Sequence, residues 1–147
     1  MQKLFCGWQK MAARTRYYNF TVQGNNSLLK AAGRQRKTAD CGQNQTDHVV
    51  ELQLVVAALN TLPSTTYTLE GWQRQLVDFF NESRNLQCME RSRNLEKGQA
   101  VRKLIQGNVL TEQDKKWIRS IREHWSGIKD HLLNFNEFKA ALDRALA

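Results

Sequence analysis

The chain has 147 residues, of which 41% are hydrophobic and 24% are charged. These values are typical of one ordinary globular domain, and they exclude a disordered tail, a collagen-like repeat and a disulfide-dense miniprotein. The net charge of +8 favours a polyanionic partner, nucleic acid first and a membrane surface second. Because no charged-then-apolar segment opens the chain, we expect no signal peptide, no membrane partner and an intracellular protein.

The positive charge is concentrated in two segments. Residues 1–40 carry eight basic side chains and one acidic side chain, a net charge of +7. Residues 84–103 carry six basic and two acidic side chains, a net charge of +4. Such asymmetry is typical of proteins that bind nucleic acid, although a soluble protein that is simply basic would have the same total.

Most of the chain is predicted to be helical. Within the first 40 residues, the pattern predicts a helix near the start, a short strand over 19–23 and a basic helix over 28–37. The next helix ends before Pro63, because proline cannot continue a helix. Its apolar face is formed by Leu52, Val55, Val56 and Leu59.

Four more helices are predicted after Pro63. Thr68, Ser92, Thr111 and Asn136 are their predicted N-caps. Asp114 would complete a capping box with Thr111, and Gly107 would end the second of these helices. Their predicted core positions are, in chain order, Leu69, Trp72, Leu76, Phe79, Leu95, Val101, Leu104, Ile105, Trp117, Ile118, Ile121, Trp125, Phe138, Ala141, Leu142 and Leu146.

The chain shows no internal repeat, low-complexity tract or linker, which predicts a single domain over residues 1–147. We divide this domain into three parts. Residues 1–40 form a basic N-terminal segment, and residues 41–107 form a core that carries the polar motifs and contains a helical insertion over 57–81. Residues 108–147 form the C-terminal helices.

Two polar segments interrupt the helical pattern. Residues 45–53 read Gln-Thr-Asp-His-Val-Val-Glu-Leu-Gln, and residues 85–98 read Asn-Leu-Gln-Cys-Met-Glu-Arg-Ser-Arg-Asn-Leu-Glu-Lys-Gly. Together they resemble the HNH family of nucleases, also called His-Me finger or ββα-metal nucleases. That family has an Asp-His pair followed by two aliphatic residues, then Asn-Leu-x-x-Cys, and then a later Asn with Lys-Gly. Residues 47–50, 85–88 and 94–98 match these three elements in order.

The residues of these segments suit phosphodiester hydrolysis. This reaction needs a water nucleophile, a base that deprotonates it, and positive charge on the phosphate and the leaving oxygen. A neutral imidazole is a base near pH 7, and a hard divalent cation prefers carboxylate and amide oxygens. Asp47, His48 and Asn94 supply these groups. The neighbours Asp47 and His48 would lie on opposite faces of a short strand.

The resemblance implies an α+β fold that is predominantly helical, with a small ββα-metal hairpin-plus-helix site embedded in a helical domain. It implies that Asp47 and Asn94 hold one divalent ion, Mg²⁺ first and Mn²⁺ as the alternative. His48 would be the general base, and Asn85 would orient the His48 imidazole or the substrate. The sequence therefore predicts a metal-dependent endonuclease that hydrolyses DNA, with RNA as the second candidate substrate.

Several residues around these positions complete the predicted site. Glu51 would share a helical face with His48, either as a supporting partner or additional metal ligand of the site or as a solvated helix carboxylate paired with a nearby base. The predicted nucleic-acid contacts are Arg34, Arg36, Lys37, Arg91, Arg93 and Lys97. The alternative from another functional class is a non-catalytic nucleic-acid-binding module, which the charge distribution alone would support.

The three cysteines, Cys6, Cys41 and Cys88, have no CxxC spacing, so no zinc ribbon is predicted. Free thiols are the simpler expectation for an intracellular protein. The resemblance adds an alternative. If the two motif-bearing strands pair, Cys41 and Cys88 come close enough for a disulfide bond.

Overall fold

The computed structural model of the protein describes residues 41–147. This part is mostly helical with one two-stranded antiparallel sheet, which confirms the predicted α+β class. The elements are β1 (Gln45–His48), α1 (Leu52–Leu59), α2 (Trp72–Phe80), a 3₁₀ turn (Ser83–Asn85), β2 (Leu86–Met89), α3 (Arg91–Gln106), α4 (Glu112–Ile128), a second 3₁₀ turn (Lys129–His131) and α5 (Asn136–Leu146).

The predictions for the basic N-terminal segment, including the nucleic-acid contacts Arg34, Arg36 and Lys37, lie outside the described residues. Between residues 41 and 147, no helix is both long enough and apolar enough to cross a lipid bilayer.

Helix α1 lies at the centre of the core. Seven of its eight residues are buried, so it is apolar on all sides, as expected of a helix surrounded by other elements. It packs against α5 and α3, and its predicted end before Pro63 is confirmed. Gln53 is the exception, and its amide donates hydrogen bonds to the Glu51 carboxylate and to the Gly98 carbonyl of α3.

Aromatic side chains fix the C-terminal end of α2. The Phe80 ring stacks on Trp125 of α4 at a centroid distance of 6.0 Å and contacts the Phe138 ring of α5 edge-on. Such pairs add to the stabilisation that burial alone provides. Because Phe80 is the last residue of α2, this packing also fixes Asn81, which follows it.

Two predicted helix boundaries are confirmed. The Thr111 side chain accepts from the Asp114 backbone N–H, and the Asp114 carboxylate accepts from the Thr111 backbone N–H, which is a complete capping box. Gly107 ends α3 in the left-handed conformation at φ 74°.

Three predicted N-caps are wrong. Helix α2 begins after Gly71, at φ 87°, and therefore not at Thr68. Ser92 and Asn136 lie inside α3 and α5, whose N-caps are Glu90 and Phe135. Thr68 lies three residues before the N-cap of α2, whereas Ser92 and Asn136 fall within the first two residues of helices that have already begun.

Two predicted core positions are also wrong. Leu69 is 73% exposed because it lies before the start of α2. Leu95 is 58% exposed, since the face of α3 that points to the core carries Lys97, Ala100 and Val101.

Strands β1 and β2 pair although residues 49–85 lie between them. The register places Asp47 opposite Gln87 and His48 opposite Leu86. Helix α3 follows β2 directly and packs against β1, so the three elements form a strand–strand–helix unit. Two four-residue strands are weak by themselves, and they need such covering elements.

A disulfide bond joins Cys41 to Cys88 at the open end of this two-stranded sheet. The Cys41 sulfur also lies 3.3 Å from the hydroxyl oxygen of Thr46, and Thr46 is the residue opposite Cys88 in the sheet. The expectation of free thiols is therefore wrong for these two cysteines. Pairing of the strands brings them together, as the alternative proposed.

Candidate functional site

The strand–strand–helix unit brings Asn94 to the face of β1 that carries Asp47. The Asn94 amide nitrogen donates to the Gln45 side-chain oxygen at 2.9 Å. Gln45 and Asp47 are two residues apart on β1, so their side chains point to the same face. Lys97 lies one helical turn after Asn94 on α3 and contacts Asp47 directly. The same face of α3 therefore covers the predicted metal ligand of β1.

Lys97 is a buried cation at the centre of this contact. Its side chain is 2% exposed. Its ammonium donates to Asp47 Oδ2 at 2.6 Å and to the His48 carbonyl oxygen at 2.7 Å. Gln87 of β2 donates to the same Asp47 oxygen at 2.9 Å. Lysine is rarely buried unless it is paired, and here the pairing anchors both residues of the Asp-His motif.

This position corrects the prediction that Lys97 contacts nucleic acid. A buried ammonium that is held by a carboxylate and a carbonyl does not face a phosphate backbone. Arg91 and Arg93, in the first turn of α3, are exposed as that role requires. The Arg93 guanidinium lies over the Trp117 ring, 5.0 Å from its centroid, which limits its orientations.

Glu51 is the second carboxylate near Lys97. Its Oε2 lies 3.9 Å from the Lys97 nitrogen, and its Oε1 accepts from Gln53 at 2.6 Å. Burial raises the pKa of Glu51, and the positive charge of Lys97 and the Gln53 hydrogen bond oppose this effect. Glu51 is thus paired with a nearby base, Lys97, as one alternative expected, but its side chain is only 13% exposed and so is not solvated. It precedes α1 while His48 lies in β1, so the two residues do not share a helical face.

His48 is 3% exposed and lies on the opposite face of β1 from Asp47. Its Nε2 lies 2.7 Å from the side-chain oxygen of Asn81, the residue that ends α2. Sequence reasoning missed Asn81, because 33 residues separate it from His48 and it belongs to neither motif. In the sequence, Asn81 is marked only as a polar residue that directly follows a predicted helix.

Asn85 is completely buried, and its side chain contacts backbone groups. Its amide oxygen accepts from the Val50 N–H at 2.9 Å, and its amide nitrogen donates to the carbonyls of Val50 and Phe80. Its own carbonyl accepts from the Val49 N–H. The prediction that Asn85 orients the imidazole ring or the substrate is corrected, since its side chain instead fixes the chain that follows His48.

No family model, curated protein or solved structure matches the chain.

The donor chemistry at Asp47 and Asn94 fits a hard divalent cation. The side-chain hydrogen bonds of Asp47 from residues 41–147 all reach Oδ2, so Oδ1 is the oxygen that a cation would take. Asn94 donates through its amide nitrogen, which leaves its amide oxygen as an acceptor. Over the same range, no group of three or more His, Cys, Asp or Glu side chains is arranged to hold a metal. One carboxylate and one amide suit Mg²⁺, which keeps several of its waters.

Proposed function

We propose that the protein is a metal-dependent endonuclease of the HNH type, which hydrolyses phosphodiester bonds of DNA. The observation that carries the proposal is the strand–strand–helix unit. It places Asp47 and His48 on one short strand and brings Asn94, from the first turn of the following helix, to the Asp47 face. The two sequence motifs thus meet in space although residues 49–85 separate them.

In this proposal, His48 accepts the proton of the attacking water, because a neutral imidazole is a base near pH 7. Asp47 and Asn94 hold the divalent cation, which supplies positive charge to the phosphate and the leaving oxygen when it is bound. Arg91 and Arg93 are exposed at the start of α3 and contact backbone phosphates. Lys97 and Gln87 hold the Asp47 carboxylate in place.

The alternative is a non-catalytic nucleic-acid-binding module, and one observation favours it. The Lys97 ammonium already neutralises Asp47 at 2.6 Å, so a divalent cation must compete with an internal positive charge. The exposed arginines would serve this alternative equally well. A catalytic assay with a metal dependence separates the two.

The proposal is tested by plasmid nicking with the full chain in Mg²⁺, in Mn²⁺ and in EDTA. We expect nicking that EDTA abolishes, together with loss of nicking in His48→Ala. His131→Ala is the matched control, because His131 is exposed in the 3₁₀ turn after α4. DNA binding, measured by fluorescence anisotropy in EDTA, should persist in both variants. DNA binding without nicking by the wild-type protein would support the alternative, and nicking by His48→Ala at the wild-type rate would refute the assignment of the base.

A further inference from the structure

The Lys97 ammonium lies between two carboxylates. It donates to Asp47 Oδ2 at 2.6 Å and to the His48 carbonyl oxygen at 2.7 Å. An ammonium group carries three N–H donors, so one donor remains after these two bonds. Glu51 Oε2 lies 3.9 Å from the same nitrogen, which is an ion pair but is too long for a hydrogen bond. Lys97 is therefore bonded to one carboxylate and close to the other.

The Glu51 carboxylate is fixed by the start of α1. Glu51 is the N-cap residue of this helix, and its Oε1 accepts from the Gln53 amide at 2.6 Å. The same amide nitrogen donates to the carbonyl of Gly98, the residue after Lys97 on α3. One amide thus ties the Glu51 carboxylate to the helix that carries the ammonium, and Oε2 is the oxygen left for Lys97.

Stability alone does not account for this arrangement. Glu51 is mostly buried, and burial raises its pKa, because the charged carboxylate is disfavoured away from water. The negative charge of Asp47 adds to this effect, while nearby positive charges oppose it. The side-chain oxygen of Gln53 is also buried without a hydrogen-bond partner among residues 41–147, which is unfavourable. Such unfavourable features are typical of sites at which function requires them.

A divalent cation at Asp47 would meet the positive charge of Lys97, and like charges repel. A shift of the ammonium by about 1 Å towards Glu51 Oε2 would turn the 3.9 Å ion pair into a hydrogen bond. Gln87 donates to Asp47 Oδ2 at 2.9 Å and would keep the carboxylate in its orientation. The buried lysine charge would thereby stay paired while the charge of Asp47 becomes available to the cation.

We propose that Glu51 is the counter-ion that receives the Lys97 ammonium when a divalent cation binds Asp47. Glu51 acts through Lys97 and does not bind the cation, so it is a positioning residue. The inference rests on the proposed function, since it requires a cation at Asp47. It does not require cleavage, and metal binding is measured separately from nicking.

The first test is the affinity of the full chain for Mn²⁺ without DNA, measured from the electron paramagnetic resonance signal of the free ion. Glu51→Gln keeps the shape and the oxygen that accepts from Gln53 but removes the charge. We expect it to bind Mn²⁺ about 10- to 100-fold more weakly than wild type, because the partners of metal ligands tune affinity by this amount. Its Tm at neutral pH should not fall, so a loss of stability would not explain the weaker binding. Glu96→Gln is the control, since it removes an equal charge from the exposed residue before Lys97 and should bind as wild type does.

The second test is the hydrogen-bond partner of the Lys97 ammonium, read from the NMR couplings between its ¹⁵Nζ and the carboxyl carbons. We expect a coupling to Asp47 in EDTA. At saturating Mg²⁺, a coupling to Glu51 should appear and the coupling to Asp47 should weaken. If Glu51 were itself a ligand of the cation, its coupling to Lys97 would be absent.

The outcomes separate this inference from the proposed function. Wild-type Mn²⁺ affinity in Glu51→Gln, or no coupling between Lys97 and Glu51 at saturating Mg²⁺, would overturn the inference and leave the proposed function standing. Weaker Mn²⁺ binding in Glu51→Gln, beside a wild-type protein that binds Mn²⁺ but does not nick plasmid DNA, would support the inference and refute the proposed function. A wild-type protein that binds no Mn²⁺ would refute both.

Discussion

Replacement of Lys97 by methionine removes the ammonium from a buried ion pair. The Lys97 and Asp47 side chains are almost wholly buried, and 2.6 Å separates their charged atoms. Loss of one partner leaves the other charge buried without compensation, which costs about 3–5 kcal/mol. A domain of this size unfolds with a free energy of about 5–15 kcal/mol. We therefore expect Lys97→Met to lose a large fraction of the stability.

Urea denaturation followed by circular dichroism measures this loss. With an m-value of about 2 kcal/mol/M, the midpoint for Lys97→Met should fall by about 2 M relative to wild type. Lys115→Met is the matched control. It removes a lysine from a helical ion pair with Glu112, 3.4 Å long and exposed on both sides, which should cost less than about 0.5 kcal/mol.

A double variant tests whether the cost arises from the pair. Asp47→Asn combined with Lys97→Met removes both charges, so it should lose less stability than the sum of the two single variants. Equal losses in Lys97→Met and Lys115→Met would refute the reasoning. Strict additivity of the two single losses would refute the ion pair as their cause.

Two further predictions concern carboxylates whose pKa the fold shifts in opposite directions. Burial raises the pKa of Glu51, so the wild-type protein loses stability as the pH rises from the ordinary glutamate value through the raised value. Glu51→Gln should therefore have a higher Tm than wild type at neutral pH and an equal Tm in acid; a lower Tm at neutral pH would contradict this. The hydrogen bond from Lys103 and those of the Thr111 capping box lower the pKa of Asp114. The ionised Asp114 therefore stabilises the fold above the ordinary aspartate pKa, and this stabilisation is lost as the pH falls through the lowered pKa. Asp114→Ala removes the hydrogen bonds from Lys103 and the Thr111 N–H, so it should cost about 0.5–1.5 kcal/mol in urea melts at neutral pH, with a smaller gap in acid, whereas a gap that is independent of pH would refute this assignment.

Local signals predicted much of the fold. The apolar spacing of α1, the capping box of Thr111 and Asp114, and the glycine that ends α3 are each determined by residues within one or two helical turns. The errors at Leu69 and Leu95 have a common cause. Spacing identifies an apolar stripe, but the neighbouring elements decide where a helix begins and which face is covered.

The contacts of the site were less predictable than its residues. The motifs pointed to Asp47, His48 and Asn94, and the structure brings α3 over the Asp47 face of β1. The contacts of Lys97 with Asp47 and of Asn81 with His48 were not predicted. The basic patch favoured an exposed Lys97, because a sequence does not show that a lysine will meet a buried carboxylate. Asn81 was missed because the packing of α2 brings it to His48.

The disulfide bond is typical of oxidising compartments, which weighs against the expectation of an intracellular protein. The bond also shortens the covalent path between the two paired strands. Along the backbone, 40 residues separate Asp47 from Gln87. Through the bond, Asp47 is six residues from Cys41, and Gln87 is the neighbour of Cys88. In the oxidised chain the pairing of β1 with β2 is thus a short-range event, and it does not have to wait for the α1 and α2 segment to close a long loop.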